Sequence, residues 1–212
     1  MERLKNKLWA QIFIIYTRYL VGGAFVFASL VKIQGNRFTT DSGAENPIDS
    51  SWHLFETLYQ SGLYWKFIGV SQLIAGGLLM TQRYARLGAV MNLPIILNVF
   101  VITLSYYFAF TPVITGFMLA ANIMLVLWEW NTLKMLFNLP PTQTITNLFE
   151  KDVHWQRIGL ILFVFTFVIR LFALELVGVW FVCCLLVGVI GLFIGLSRHK
   201  KRTKKGNLIE AE

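Results

Sequence analysis

The sequence is short of the groups that carry chemistry on their own. It has only two cysteines and three histidines in 212 residues. Cys183 and Cys184 are adjacent inside an apolar run. They form neither a CxxC redox motif nor a metal-ligand spacing. Burial and ring strain also argue against a bond between them, so both are expected to be inert packing residues. His53, His154 and His199 are far apart, and no two have zinc-ligand spacing. There is no haem ligand pair and no iron–sulfur cysteine set. No Ser/His/Asp combination falls in one layer, and no glycine-rich loop could cradle a phosphate. Charge is scarce as well, at 14% Asp, Glu, Lys and Arg.

Apolar residues are abundant, at 56%, with a mean hydropathy of +0.61. They come in long blocks rather than the narrow stripes of a soluble helix, which is the pattern of membrane spans. Six blocks are legible: Trp9–Ile33, Tyr64–Met80, Leu87–Phe108, Val113–Phe137, Arg157–Ala173 and Leu176–Leu196. Met1–Lys7 is basic, but the first block is longer than a signal-peptide core of roughly 7–15 residues, so it reads as a retained first helix. Gln34–Ser51 is turn-rich and reads as loop. Trp52–Leu63 carries Trp52, Phe55, Leu58 and Tyr59 at helical spacing and reads as an amphipathic interfacial helix. Thr81–Arg86 and Phe110–Pro112 are short turns. Asn138–Gln156, with Pro140 and Pro141, is the main internal boundary.

The expected fold is therefore an all-α membrane protein with six transmembrane helices. Residues 1–137 form a four-helix core, 138–156 a cytoplasmic loop, 157–196 a helix pair and 197–212 a basic tail, disordered beyond its basic run. The net charge of +8 could point to nucleic acid, but the basic residues lie mostly between spans. With six spans, 14 of 19 Lys and Arg fall on one side. That side is expected to be the cytoplasm, with both termini there and the Gln34–Leu63 loop outside. The expected partners are the bilayer and a membrane protein, not nucleic acid.

Charges inside spans are costly and normally face protein or water. Arg18 lies about ten residues into the first block, roughly 15 Å from its start. Gly22, Ser29 and Lys32 share its face within about 80°. Glu129, in the fourth block, shares a face with Asn122 and Thr115. Arg18 and Glu129 should reach similar depth, and an Arg18–Glu129 ion pair is expected. Gln72, between Gly69 and Gly76, and Asn98, with Ser105, are expected in the same polar layer. Asn92 falls on another face, and Pro94 leaves the Val90 carbonyl without its helical donor. The plainer reading of Asn92 and Asn98 is hydrogen-bonding between helices. Arg170 and Glu175 are expected at the outer interface as structural residues, and His53 as a solvated one. The candidate binding layer is thus Arg18, Lys32, Gln72, Asn98, Asn122 and Glu129.

Two stretches carry a family resemblance. YTRYLVGGAFVFASLVKI, Tyr16 to Ile33, resembles the first helix of the DoxX family of small bacterial membrane proteins. GVSQLIAGGLLMTQRYARLGAVMNLPI, Gly69 to Ile95, resembles that family's second helix, basic turn and third helix. The resemblance covers about residues 10–137. It departs where the family places an acid before its paired glycines and this chain has Gln72. The family is named for the small subunit of a thiosulfate:quinone oxidoreductase, and other members are linked to oxidative and thiol-stress complexes. The resemblance thus implies an inner-membrane component of a redox or stress-response assembly. Any cofactor would be a quinone, its carbonyls bonded by Arg18 and Gln72. Alternatives are a scaffold or lipid-binding protein without redox role, and a small transporter, for which no inverted repeat is visible.

Overall fold

The computed structural model describes residues 2–140, 149–172 and 177–209. Among the described residues the chain is helical and has no strand. The helices are α1 (Glu2–Lys5), α2 (Leu8–Ile33), α3 (Ser51–Gln60), α4 (Leu63–Met80), α5 (Ala85–Ser105), α6 (Thr111–Trp128), α7 (Trp130–Leu133), α8 (Val153–Phe172) and α9 (Val177–Ile209). Six of them, α2, α4, α5, α6, α8 and α9, are long and apolar enough to cross a membrane. The chain is a multi-pass helical membrane protein. Its spans alternate in direction, so α2 begins and α9 ends at one face, called the base below.

Helix α2 is the axis of the bundle. Its spanning window is 72% buried, against 11% for that of α9. It packs most extensively on α4, and small residues make this possible. A Cβ placed on Gly22 would lie 2.7 Å from the Gly76 carbonyl oxygen, and one on Gly76 would lie 2.6 Å from that of Gly22. Seven residues along, Gly69 meets the Ser29 carbonyl in the same way, at 2.8 Å. In lipid, helix association depends on such close backbone approach, because leaving lipid for another helix gains little hydrophobic energy. Helices α5 and α6 complete the four-helix core. Helix α8 is held on α2 and α4 through Tyr19, Met80, Trp155, Ile158 and Leu162, and α9 lies on α8.

Several boundaries differ from the sequence reading. The fourth span stops at Trp128, not Phe137. Glu129 is its C-terminal cap, and the chain turns away through α7 and a 3-10 turn over Lys134–Phe137. The loop expected over 138–156 is shorter, because a 3-10 turn occupies Phe149–Lys151 and α8 starts at Val153. Helix α9 continues through the basic run to Ile209, where disorder was expected. The run is rich in Lys and Arg, which are good helix formers, and holds no proline. Pro141 and Glu175 lie outside the described residues.

The segment between α2 and α4 closes the far end of the bundle. Ser50 caps α3 by accepting a hydrogen bond from the His53 amide at 3.2 Å. The expected amphipathic helix is present, but the residue it buries is Glu56, while Trp52, Phe55, Leu58 and Tyr59 are only half-buried. Arg37 explains this. Its Nε donates to Glu56 Oε2 at 2.9 Å and its Nη2 to Oε1 at 3.0 Å. Gln60 Nε2 and the Gly43 amide donate to the same carboxylate. The Arg37 hydrogen bonds hold the Glu56 carboxyl down at about 2, against an ordinary 4.5. Because the folded value is the lower one, the carboxylate stabilises this segment fully above pH 4.5. That contribution fades as the pH falls from 4.5 to about 2. A carboxyl titration followed by 13C NMR should place the Glu56 midpoint near 2, and Arg37→Gln should return it toward 4.5. A wild-type midpoint at the ordinary value would contradict the clamp.

Candidate functional site

The charged candidates meet at the base. Arg18 lies ten residues into α2, but α2 starts below the other spans. At the level of Arg18 the turn between α4 and α5 and the end of α6 are already present. Its guanidinium is 3% exposed as a residue and takes partners from three elements. Nη2 donates to Glu129 Oε1 at 2.8 Å, so the expected ion pair is present. Nη1 donates to Gln82 Oε1 at 3.0 Å and lies 3.4 Å from Glu150 Oε2. The second oxygen of Glu129 accepts from Arg86 Nε at 2.7 Å. Glu150, 4% exposed, also accepts from Trp128 Nε1 at 3.1 Å, and its amide donates to Gln11 Oε1. Two arginines face two glutamates, and the cluster is neutral overall.

Gln82 and Glu150 are members of this cluster that sequence reasoning missed. Gln82 adopts φ 57, the left-handed region, where a non-glycine residue costs about 1–2 kcal/mol. The conformation lets its amide bridge Arg18 and the Ile15 carbonyl. In sequence it is one of several polar residues in TQRYAR. Glu150 sits in a polar loop, and the one available signal is that it follows the apolar pair Leu148-Phe149.

The remaining candidates do not share this layer. Asn122 is fully buried in mid-bundle. It donates through Nδ2 to the Ala89 carbonyl at 3.0 Å and accepts from Asn92 Nδ2 at 3.1 Å. Asn92, read as lying on another face, is thus its partner, two residues from the Val90 carbonyl freed by Pro94. Closer to the far end, the hydroxyls of Thr103 and Thr115 meet at 2.8 Å. Gln72 sits between the Gly76 and Gly69 contacts, opposite Val26 to Ser29. That is eight to eleven residues beyond Arg18, or roughly 12–16 Å along the helix. Its Oε1 is buried and has no hydrogen-bond partner. Lys32 lies at the far end of α2. Asn98 is exposed on the outside of the bundle and takes no part in the polar interior. Helix α5 is apolar on nearly every side, so its sequence did not reveal which face turns inward.

The sequence expectation of one quinone bonded by both Arg18 and Gln72 does not fit this arrangement. The two side chains are separated by about two to three helical turns. Arg18 is held by Gln82, Glu129 and Glu150. Among the described residues, the buried side-chain polar atoms without partners lie elsewhere, at Gln72, Asn92, Trp155 and Arg170. His53 is not merely solvated either. It anchors the far-end loop, its Nδ1 lying 3.1 Å from the Asn46 carbonyl oxygen. Among the described residues no group of three His, Cys, Asp or Glu is placed to hold a metal ion.

No protein-family model matches the chain, and no curated protein or solved structure matches it either.

Proposed function

We propose that this chain is a non-catalytic subunit of a membrane assembly, of the DoxX-like kind its first four spans resemble. Its proposed site is the cell inner membrane, with the base and both termini in the cytoplasm, following the distribution of Lys and Arg. The observation that carries the reading is Asn98. Its amide faces outward in mid-span and makes no hydrogen bond within the described chain. Hydrocarbon cannot satisfy an amide, whereas a neighbouring helix can. Helix α9, few of whose spanning residues are buried, offers further apolar area for such a neighbour. The inward charges at the base, by contrast, are engaged in holding helices together.

On the resemblance, that assembly would be a membrane redox or stress-response complex, in which the chemistry would belong to the partner. Chemical cross-linking in native membranes, followed by extraction in mild detergent, tests the subunit role. The wild-type chain should run as part of a larger species, and Asn98→Leu should release it. A wild-type chain that runs alone after cross-linking would overturn the reading.

A second reading is favoured by Gln72, whose buried, unpaired Oε1 calls for a donor. A small amphiphile with a hydroxyl or amine head would supply one. Native mass spectrometry of the purified chain should then show a bound organic molecule that Gln72→Leu removes, and a bare chain would exclude this reading.

A further inference from the structure

Two cations at the far end of the bundle have no acid paired with them among the described residues. Lys32, in the last turn of α2, is only 7% exposed. Its Nζ donates to the Ala28 carbonyl at 2.8 Å and lies over the rings of Phe38 and Trp65, at 5.4 and 5.2 Å. Arg170, in the last turn of α8, lies with its guanidinium 4.3 Å over the Phe27 ring. Its Nε is buried and has no acceptor. The two cations are tied to adjacent residues of α2, Arg170 to the ring of Phe27 and Lys32 to the carbonyl of Ala28. Neither takes part in an ion pair among the described residues. Glu56, at the same end of the bundle, is already taken by Arg37, Gln60 and Gly43.

Aromatic faces soften the burial of a cation but bring no counter-charge. A buried charge normally has an opposite charge or a full set of hydrogen bonds. The base of this protein obeys that rule, with two arginines against two glutamates, and the far end breaks it. The far end is also where helices that cross a bilayer meet the headgroups. Guanidinium donors match the oxygens of a phosphate, and an ammonium adds a point charge beside them.

We propose that Lys32 and Arg170 together bind a phosphate group at the far end of α2 and α8. Two sources share this chemistry, the headgroup of an anionic phospholipid and a free phosphate ion. The site is independent of the subunit role, since it needs only this chain.

Native mass spectrometry of the full chain in detergent tests the site. Phosphatidylglycerol and phosphatidylcholine with identical acyl chains serve as probes, and inorganic phosphate as the competitor. The wild type should prefer phosphatidylglycerol, and Lys32→Gln and Arg170→Gln should each reduce that preference about fivefold. The charge-conserving Lys32→Arg and Arg170→Lys should retain most of it. Phosphatidylglycerol that resists millimolar phosphate identifies a lipid site, and displacement by phosphate identifies a free-ion site. Equal retention of both lipids by the wild type, with no phosphate binding, would overturn the proposal. So would a preference unchanged in both Gln variants. Glu175→Gln is the remaining arm. A preference for phosphatidylglycerol that arises only in this variant would show that the chain supplies its own anion, and would overturn the proposal too.

Discussion

Replacing Arg18 by methionine should lower the unfolding midpoint of the detergent-solubilised protein by on the order of 10 °C. Arg18 and Glu150 are both almost fully buried. Removing one member of a buried ion pair leaves the other uncompensated and costs about 3–5 kcal/mol. For a chain of this length, each kcal/mol moves the midpoint by about 2–4 °C. The two carboxylates should respond differently. Glu129 keeps Arg86 at 2.7 Å after the substitution, but Glu150 has no other cation among its described contacts. Arg18→Met combined with Glu150→Gln should therefore recover a large part of the loss. Arg18→Met combined with Glu129→Gln should recover less, because it also leaves Arg86 unpaired. Differential scanning fluorimetry on the singles and doubles completes the cycle. Additive losses in both doubles would show that the charges do not act as a cluster.

Gly159→Ala is the second substitution expected to have a large effect, although it adds one methyl group. A Cβ there would fall 1.8 Å from the Met80 carbonyl oxygen and 2.8 Å from the Tyr19 ring. The first neighbour is backbone and cannot turn aside. Helix α8 must then shift away from the base of α4, disturbing the Tyr19–Trp155 contact as well. Overpacking of this kind typically costs about 1–3 kcal/mol, and more when backbone is struck. The loss should be localised. Trypsin cleavage at the exposed Lys151 should accelerate, while the four-helix core remains resistant. If cleavage at Lys151 is unchanged and the midpoint falls by less than about 2 °C, α8 is not seated on α4 as described.

What could be read from the sequence followed from depth rather than direction. The six spans were visible because their apolar blocks exceed what a soluble helix tolerates. The Arg18–Glu129 pair was visible because two opposite charges, each costly in lipid, were expected to reach similar depth from opposite ends. The pair nevertheless sits at the base of the bundle, because α6 ends at Trp128 and Glu129 caps it. Rotation about the helix axis was much less legible. In α5 both the inner and outer faces are apolar, since lipid and protein interior present similar environments, so Asn98 was assigned inward and Asn92 undervalued. Gln82 and Glu150 were missed for another reason. Both reach Arg18 from connecting segments, where no period in the sequence announces a contact 64 residues distant in the case of Gln82.

The order in which Arg18 acquires its partners bears on how the protein is made. Helix α2 leaves the ribosome before the other five spans, and its arginine then has none of the groups that neutralise it. Gln82 follows 64 residues later and Glu129 follows 111 residues later. At about 5–20 residues per second, the interval before the first carboxylate is synthesised is roughly 6–22 s. During that interval the axial helix carries an unshielded positive charge about ten residues from its start. It cannot settle at its final depth in lipid alone. The axis of the finished bundle is thus seated no earlier than the end of α6, and a chain truncated before Glu129 should be handled by the cell as an unfinished substrate of its insertion and quality-control machinery.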